Sequence, residues 1–147
     1  MNIEIKKARR KDFNQVFSLI TEFATFIKTP EKVLITPEQM FQDEDYFKCL
    51  IAVNEDKIVG FATFFKAYYS WTGKAMYLDD LYVQPNFRGL GIGTKLFDAI
   101  IEIAKSERCK KLKWQVSNWN QKAIDFYIIK GATIDEVEIN CDLKLNL

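Results

Sequence analysis

The chain predicts a mixed α/β fold, a mostly antiparallel sheet with helices on both faces. Apolar, β-branched and aromatic runs at Cys49–Val53 and Lys57–Phe65 straddle the polar triplet Asn54-Glu55-Asp56, which signals a β-hairpin. Apolar residues recur at three- and four-residue intervals from Phe13 to Ile27 and from Leu96 to Ala104, the period of helices with one buried face. Between them, Met76–Lys95 (MYLDDLYVQPNFRGLGIGTK) reads as a strand, a sharp turn, a glycine-studded loop and the first turn of a helix. An antiparallel first half followed by crossover helices implies a mixed sheet. At 147 residues the chain is expected to form a single domain, 1–147, with a sizeable core.

The elements follow in order. Asn2–Ala8 begins with alternation and is a first strand. Asp12 then offers an N-cap to a helix running to about Ile27, whose wide apolar stripe suits packing on a sheet. Lys28–Thr36 is a polar connection, and Thr36-Pro37-Glu38-Gln39 looks like a second N-cap with proline in the first turn of a short helix to about Asp43. After the hairpin, Tyr68–Gly73 is an aromatic loop that either lines a substrate mouth or packs against neighbouring helices. Beyond the glycine loop comes the helix of Leu96, Phe97, Ile100, Ile101, Ile103 and Ala104. Lys111–Val116 alternates as a strand with one buried face. Asn120 caps a helix to about Lys130 with Gly131 at its C′ position, and Thr133–Glu138 and Asn140–Leu145 read as two closing strands.

Composition narrows the function class. Lys plus Arg number 21 against 20 Asp plus Glu, so a net charge of +1 gives no reason to expect nucleic acid or an anionic membrane as partner. The three cysteines, Cys49, Cys109 and Cys141, are odd in number and far apart, which fits reduced thiols in a cytoplasmic protein. The absence of histidine excludes Cys/His zinc sites and His-dependent triads. The N-terminal residues lack the apolar run of a signal peptide, so a soluble cytoplasmic protein is expected.

The loop Arg88-Gly89-Leu90-Gly91-Ile92-Gly93-Thr94-Lys95 offers backbone N–H groups and a helix N-terminus to an anion. It is not a Walker A loop, because Gly93 is followed by Thr94 and then Lys95, the reverse of the required order. Nor is it the dinucleotide fingerprint, whose third glycine would fall on Thr94 or Leu96. What fits is Arg-x-x-Gly-x-Gly on Arg88, Gly91 and Gly93, directly after a strand and before an amphipathic helix. In this the sequence resembles the GCN5-related N-acetyltransferases, whose loop of this form holds the pyrophosphate of acetyl-CoA. Trp71 with Gly73 and Lys74, Tyr77 to Asp80, Arg88 to Gly93, Trp119-Asn120, and Phe126-Tyr127 with Gly131-Ala132 look like the diamine and polyamine branch of that superfamily, which includes spermidine/spermine and thialysine acetyltransferases.

The resemblance implies the acetyltransferase fold, acetyl-CoA as co-substrate without a metal, a small-molecule primary amine as acceptor and a homodimer. It places Leu81, Tyr82 and Val83 beside the pantetheine arm through their main chain, and Arg88, Gly89, Leu90, Gly91, Ile92, Gly93 and Thr94 around the pyrophosphate. Asn120 and Phe126 fall on the cofactor side, and Tyr127 would also protonate the departing CoA thiolate. Asn120 and Tyr127 are seven residues apart, two helical turns, and so share a face; read without the family they are an N-cap and an interior aromatic. On the acceptor side, the resemblance points to Asp79 as a water-linked base, at a position where relatives often carry glutamate, with Asp80 holding the amine and Trp71 near the substrate. In a regular strand Asp79 and Asp80 face opposite ways, and only a bulge would bring them together.

Relatives acting on polyamines carry acidic and tyrosine side chains between their first two helices, whereas Phe26–Lys32 here is lysine-bearing. That favours a smaller acceptor, such as a diamine, thialysine or an amino-acid-like amine. Protein-lysine acetylation is an alternative acceptor class, and a non-catalytic CoA-binding sensor or interaction module an alternative function.

Overall fold

A computed structural model describes residues 1–147. Contacts divide the chain into two units, Met1–Trp114 and Gln115–Leu147. The first holds a five-stranded sheet in the order β1 (Ile3–Lys7), β2 (Lys48–Asn54), β3 (Lys57–Tyr69), β4 (Gly73–Val83) and β5 (Leu112–Lys113). The first three pairings are antiparallel, and only β4 with β5 is parallel. That parallel pair needs a crossover, which α3 (Ile92–Ser106) supplies.

The hairpin expected between the two apolar runs turns at Glu55 and Asp56, both with positive φ (49° and 66°). Two such residues in sequence match the right-handed twist of the strands they join. Because side chains alternate across a sheet, the register row Ile51, Phe61, Tyr82 lies on one face and Gly60 and Ala62 on the other. On the first face Phe13, Val16 and Leu19 of α1 (Phe13–Phe26) and Met40 of α2 (Pro37–Gln42) pack with Ile51 and Phe61 into a buried cluster. On the second, a Cβ added to Gly60 would meet Leu96 of α3 at 3.4 Å and the Tyr82 carbonyl at 2.9 Å. Glycine at 60 is therefore what lets β4 and α3 approach this closely.

Local rules hold at several ends and fail at others. Thr36 caps α2, its hydroxyl accepting the Gln39 N–H at 3.2 Å. Asp12 does not cap α1 as expected. Its carboxylate turns back to accept the Arg9 N–H at 2.9 Å, closing the 3-10 turn Arg10–Asp12 that leads into the helix. The aromatic stretch is shorter as a loop than expected, since β3 continues to Tyr69 and β4 starts at Gly73. The strand expected over Lys111–Val116 pairs only at Leu112 and Lys113.

In the second unit, α4 (Gln121–Ile129) is capped by Asn120, whose Oδ1 accepts the Ala123 N–H at 3.3 Å. It ends as expected at Gly131: the Gly131 N–H donates to the Ile128 carbonyl and the Ala132 N–H to that of Tyr127, the paired bonds of a Schellman motif. The two closing strands expected over Thr133–Glu138 and Asn140–Leu145 do not form. There the Asp135 carboxylate accepts the Val137 N–H at 2.9 Å, a local turn that competes with strand pairing. No helix is long and apolar enough to cross a membrane.

Candidate active site

Register along β4 explains how two neighbouring aspartates can act together. Phe64 pairs with Leu78 and Thr63 with Asp80, which leaves Asp79 without an opposite residue. This is a β-bulge, and it breaks the alternation that would send the two carboxylates to opposite faces. Thr63, itself buried, fixes the bulge by accepting the Asp80 N–H on its hydroxyl at 3.1 Å.

Asp79 keeps contact with solvent and Asp80 is half-buried. Desolvation raises the pKa of both. For Asp80, burial first and the negative charge of Asp79 second push it up to about 7. Neither carboxylate takes part in an ion pair. An uncompensated acidic pair of this kind attracts a cation, and a group titrating near neutrality can both accept and release a proton.

The sheet opens beside this pair. β4 and β5 pair only at Met76 with Leu112 and Tyr77 with Lys113, so Leu78–Val83 has a strand neighbour only on the β3 side. Its other edge presents main-chain donors and acceptors that an extended ligand can pair with as an added strand.

Following β4, a 3-10 turn over Pro85–Phe87 leads into the glycine loop. Gly89 and Gly91 have φ of 77° and 82°, and Gly91 is the N-cap of α3. A Cβ at either would meet nothing within 4 Å, so the left-handed backbone, not crowding, calls for glycine at 91. No acidic residue sits in the first turn of α3, which leaves its positive end uncompensated. Buried Ile92, Leu96, Phe97, Ile100 and Ala104 seat this helix on the sheet.

Arg88 does not simply point at the loop. Its Nε donates to the Val83 carbonyl at 2.8 Å, and its guanidinium lies 4.6 Å from the Phe26 ring centre and 5.4 Å from that of Tyr82. The Tyr82 hydroxyl donates to Glu22 Oε2 at 2.5 Å, and burial together with that carboxylate pushes its pKa up to about 12. Glu22, Phe26 and Thr63 were not singled out from sequence. The available signal was that Glu22 and Phe26 lie four residues apart on one helical face.

The structure thus gathers Asp79, Asp80, Leu81, Tyr82, Val83 and the loop Arg88–Thr94 along one strand and its continuation. Trp71 is not among them. It sits in the β3–β4 turn, 97% exposed, beside a cleft of about 200 Å³ lined also by Tyr69, Ser70, Thr72 and Lys111. At ~3.3 Å per strand residue it is roughly 20 Å or more from Asp80. The ammonium groups of Lys111 and Lys113 stand over the Tyr69 ring there, a poor setting for a cationic acceptor. In the second unit, Asn120 caps α4, and Phe126 and Tyr127 lie within it. Tyr127 is buried and its ring meets Phe126 edge-on at 5.4 Å. Burial pushes the Cys49 thiol up to about 12, so it is not a nucleophile at neutral pH.

Residues 13–130 match the acetyltransferase (GNAT) family. The chain belongs to this family. It is 34% identical over 140 residues to a mouse (Mus musculus) thialysine N-epsilon-acetyltransferase, an alignment covering 87% of this chain and 82% of that protein. A human (Homo sapiens) spermidine/spermine N(1)-acetyltransferase-like protein is also 34% identical over 140 residues, spanning 88% of this chain but 20% of the longer protein. Among solved structures, an aminoglycoside N-acetyltransferase in complex with CoA superposes with a TM-score of 0.79 at 16% identity, covering 98% of this chain and 96% of that one, a likeness of fold alone. The family and its thialysine acetyltransferase relatives make this chain an acetyl-CoA-dependent amine N-acetyltransferase.

Proposed function

We propose that this protein transfers the acetyl group of acetyl-CoA directly to a primary amine of a small diamine, thialysine or amino-acid-like molecule, within a ternary complex. The observation that carries this reading is the bulge-paired, ion-pair-free Asp79 and Asp80 at the point where β4 parts from β5, with the glycine loop at the end of the same strand. A carboxylate pair of this kind suits an ammonium, and the loop suits a pyrophosphate.

In this reading the N–H groups of Gly89–Thr94 and the start of α3 hold the pyrophosphate. The main chain of Leu81, Tyr82 and Val83 holds the pantetheine arm, and Asn120 and Phe126 lie on the cofactor side. Asp80 binds the substrate ammonium. A primary ammonium has a pKa of about 10.4, so losing its proton at pH 7 costs about 4 to 5 kcal/mol. Asp79, in contact with solvent, passes that proton to water. The free amine then attacks the thioester carbonyl, polarised by main-chain N–H near Leu81. The new C–N bond forms, the C–S bond breaks, Tyr127 protonates the CoA thiolate, and the proton that the nitrogen sheds on becoming an amide returns through solvent to the Tyr127 phenolate. No thiol intermediate is needed, in keeping with the inert Cys49.

The identity to thialysine acetyltransferases over 87% of the chain supports a compact acceptor, as does the lysine-bearing connection after α1. The family match runs across the boundary between the two units, which supports a single N-acetyltransferase domain. A cytoplasmic homodimer belongs to the same reading. The exposed apolar side chains of Val137, Ile139, Leu143 and Leu145 are surface that a second copy would cover. A panel of diamines, thialysine, lysine analogues and a lysine peptide, assayed with acetyl-CoA and a free-thiol reagent, tests the reaction. Thiol release with the small amines and not the peptide is expected; release with none of them would overturn the proposal.

A further inference from the structure

We infer that the last turn of α1 positions the glycine loop: Glu22 and Phe26 act on acetyl-CoA binding through Tyr82 and Arg88. The inference rests on the reading of Gly89–Thr94 as the pyrophosphate site. A chain of contacts carries it. Glu22 takes the Tyr82 hydroxyl at 2.5 Å, and Gln84 reaches the same carboxylate at 3.4 Å. Tyr82 is thereby fixed in its ring plane, stacked on Phe23 at 5.1 Å. The Arg88 guanidinium lies against the Tyr82 ring and, more closely, the Phe26 ring. Its Nε is spent on the Val83 carbonyl, the last residue of β4. Arg88 is therefore held from two elements at the first residue of the loop, immediately before Gly89.

The helix end that supplies Phe26 is itself well defined. The Lys28 N–H donates to the Thr25 carbonyl and the Thr29 N–H to that of Ala24, with Lys28 at φ 65°, a closed Schellman end rather than a frayed one. A loop containing two glycines with positive φ has many backbone states open to it, and its affinity for a phosphate depends on holding one. A planar guanidinium stacked on an aromatic ring supplies that restraint in a way a lysine cannot. Phe26 is 42% exposed, so its ring is not needed to fill the core; the contact it makes with Arg88 sets it apart from the buried side chains of α1.

The full-length protein and its Phe26→Ala, Phe26→Tyr, Arg88→Lys and Gly91→Val variants would be compared for acetyl-CoA affinity by titration calorimetry and for steady-state kinetics. Phe26→Ala should raise the Kd and KM for acetyl-CoA roughly 3- to 10-fold, with kcat and the amine KM changed less than twofold. Phe26→Tyr keeps the ring and should retain wild-type affinity, while Arg88→Lys should resemble Phe26→Ala. Gly91→Val separates the two levels of the claim: if it binds acetyl-CoA like the wild type, the loop is not the pyrophosphate site and the underlying reading fails. If Gly91→Val loses binding while Phe26→Ala keeps it, the positioning role is overturned. The same holds if Phe26→Tyr is as weak as Phe26→Ala, or if kcat and the amine KM deteriorate in step with affinity.

Discussion

Replacing Asp80 by Asn keeps the side chain's shape and removes its charge, so the variant measures what ionisation at this position costs the fold. The Asp80 pKa lies at about 7 against an ordinary 3.8, raised by burial and by Asp79. A group whose pKa is higher in the folded protein favours folding most below its unfolded value, and that advantage is lost as pH rises to the folded value. For Asp80 the window runs from about pH 4 to about pH 7. At 1.36 kcal/mol per unit, a shift of about three units caps the effect near 4 kcal/mol. Half-burial leaves some water at the carboxylate, so about 2 to 4 kcal/mol is the working range. Urea unfolding of both proteins from pH 4 to pH 8 should show the Asn variant gaining on the wild type by that amount across the window, with the difference level above pH 7. Parallel stability curves over the whole range would refute the assignment of a desolvated, like-charged Asp80. With Asp80 binding the ammonium as proposed, the same variant should lose roughly 100-fold or more in kcat/KM.

Asp79→Asn removes the like charge beside Asp80, so the acidic limb of its kcat/KM profile should move to lower pH, whatever its absolute rate; an unmoved limb would show that the two carboxylates do not interact. Tyr127→Phe should lower kcat roughly 100-fold at unchanged acetyl-CoA Kd, whereas a non-catalytic CoA sensor would lose nothing measurable. Gly60→Ala places a methyl 2.9 Å from the Tyr82 carbonyl and should destabilise the protein by about 1 to 3 kcal/mol in urea titrations. Gly131→Ala forces a side chain into φ 96° at the end of α4 and should cost about 1 kcal/mol by the same assay.

What sequence made legible follows from how local each feature is. Thr36, Asn120 and Gly131 act on backbone groups within five residues, and all three end or start helices as expected. The hairpin at Glu55-Asp56 was marked by the polar break alone, without the usual glycine. Alternation is a weaker guide, because it shows that one face could be buried and not that an edge is available. Val137, Ile139, Leu143 and Leu145 alternate cleanly, yet no strand forms there. Asp135 instead caps a local turn within the first of the expected strands, and the Gln115 side chain bonds that of Asn140 within the second. β5 falls short in the same way, pairing with β4 only at Met76 and Tyr77.

The candidate site divides along the same line. Arg88, Gly91 and Gly93 are visible because a tight loop before a helix needs particular residues at fixed spacing. The bulge at Asp79 has no such spelling, since it depends on where Phe64 and Thr63 fall in the opposite strand. Sequence could say only that a bulge would be required for the two carboxylates to cooperate. Its presence changes the electrostatic problem, because burial raises the pKa of both acids and the charge of Asp79 raises that of Asp80 further, while no lysine or arginine relieves them. A fold meant only to be stable would pair or solvate such a charge. Here Thr63 instead holds the strand in the form that keeps the acids close, at the place where β4 loses its second neighbour. In the proposed function the cost to stability and the attraction for an ammonium are the same interaction, which is why Asp80→Asn is expected to strengthen the fold and weaken the enzyme together.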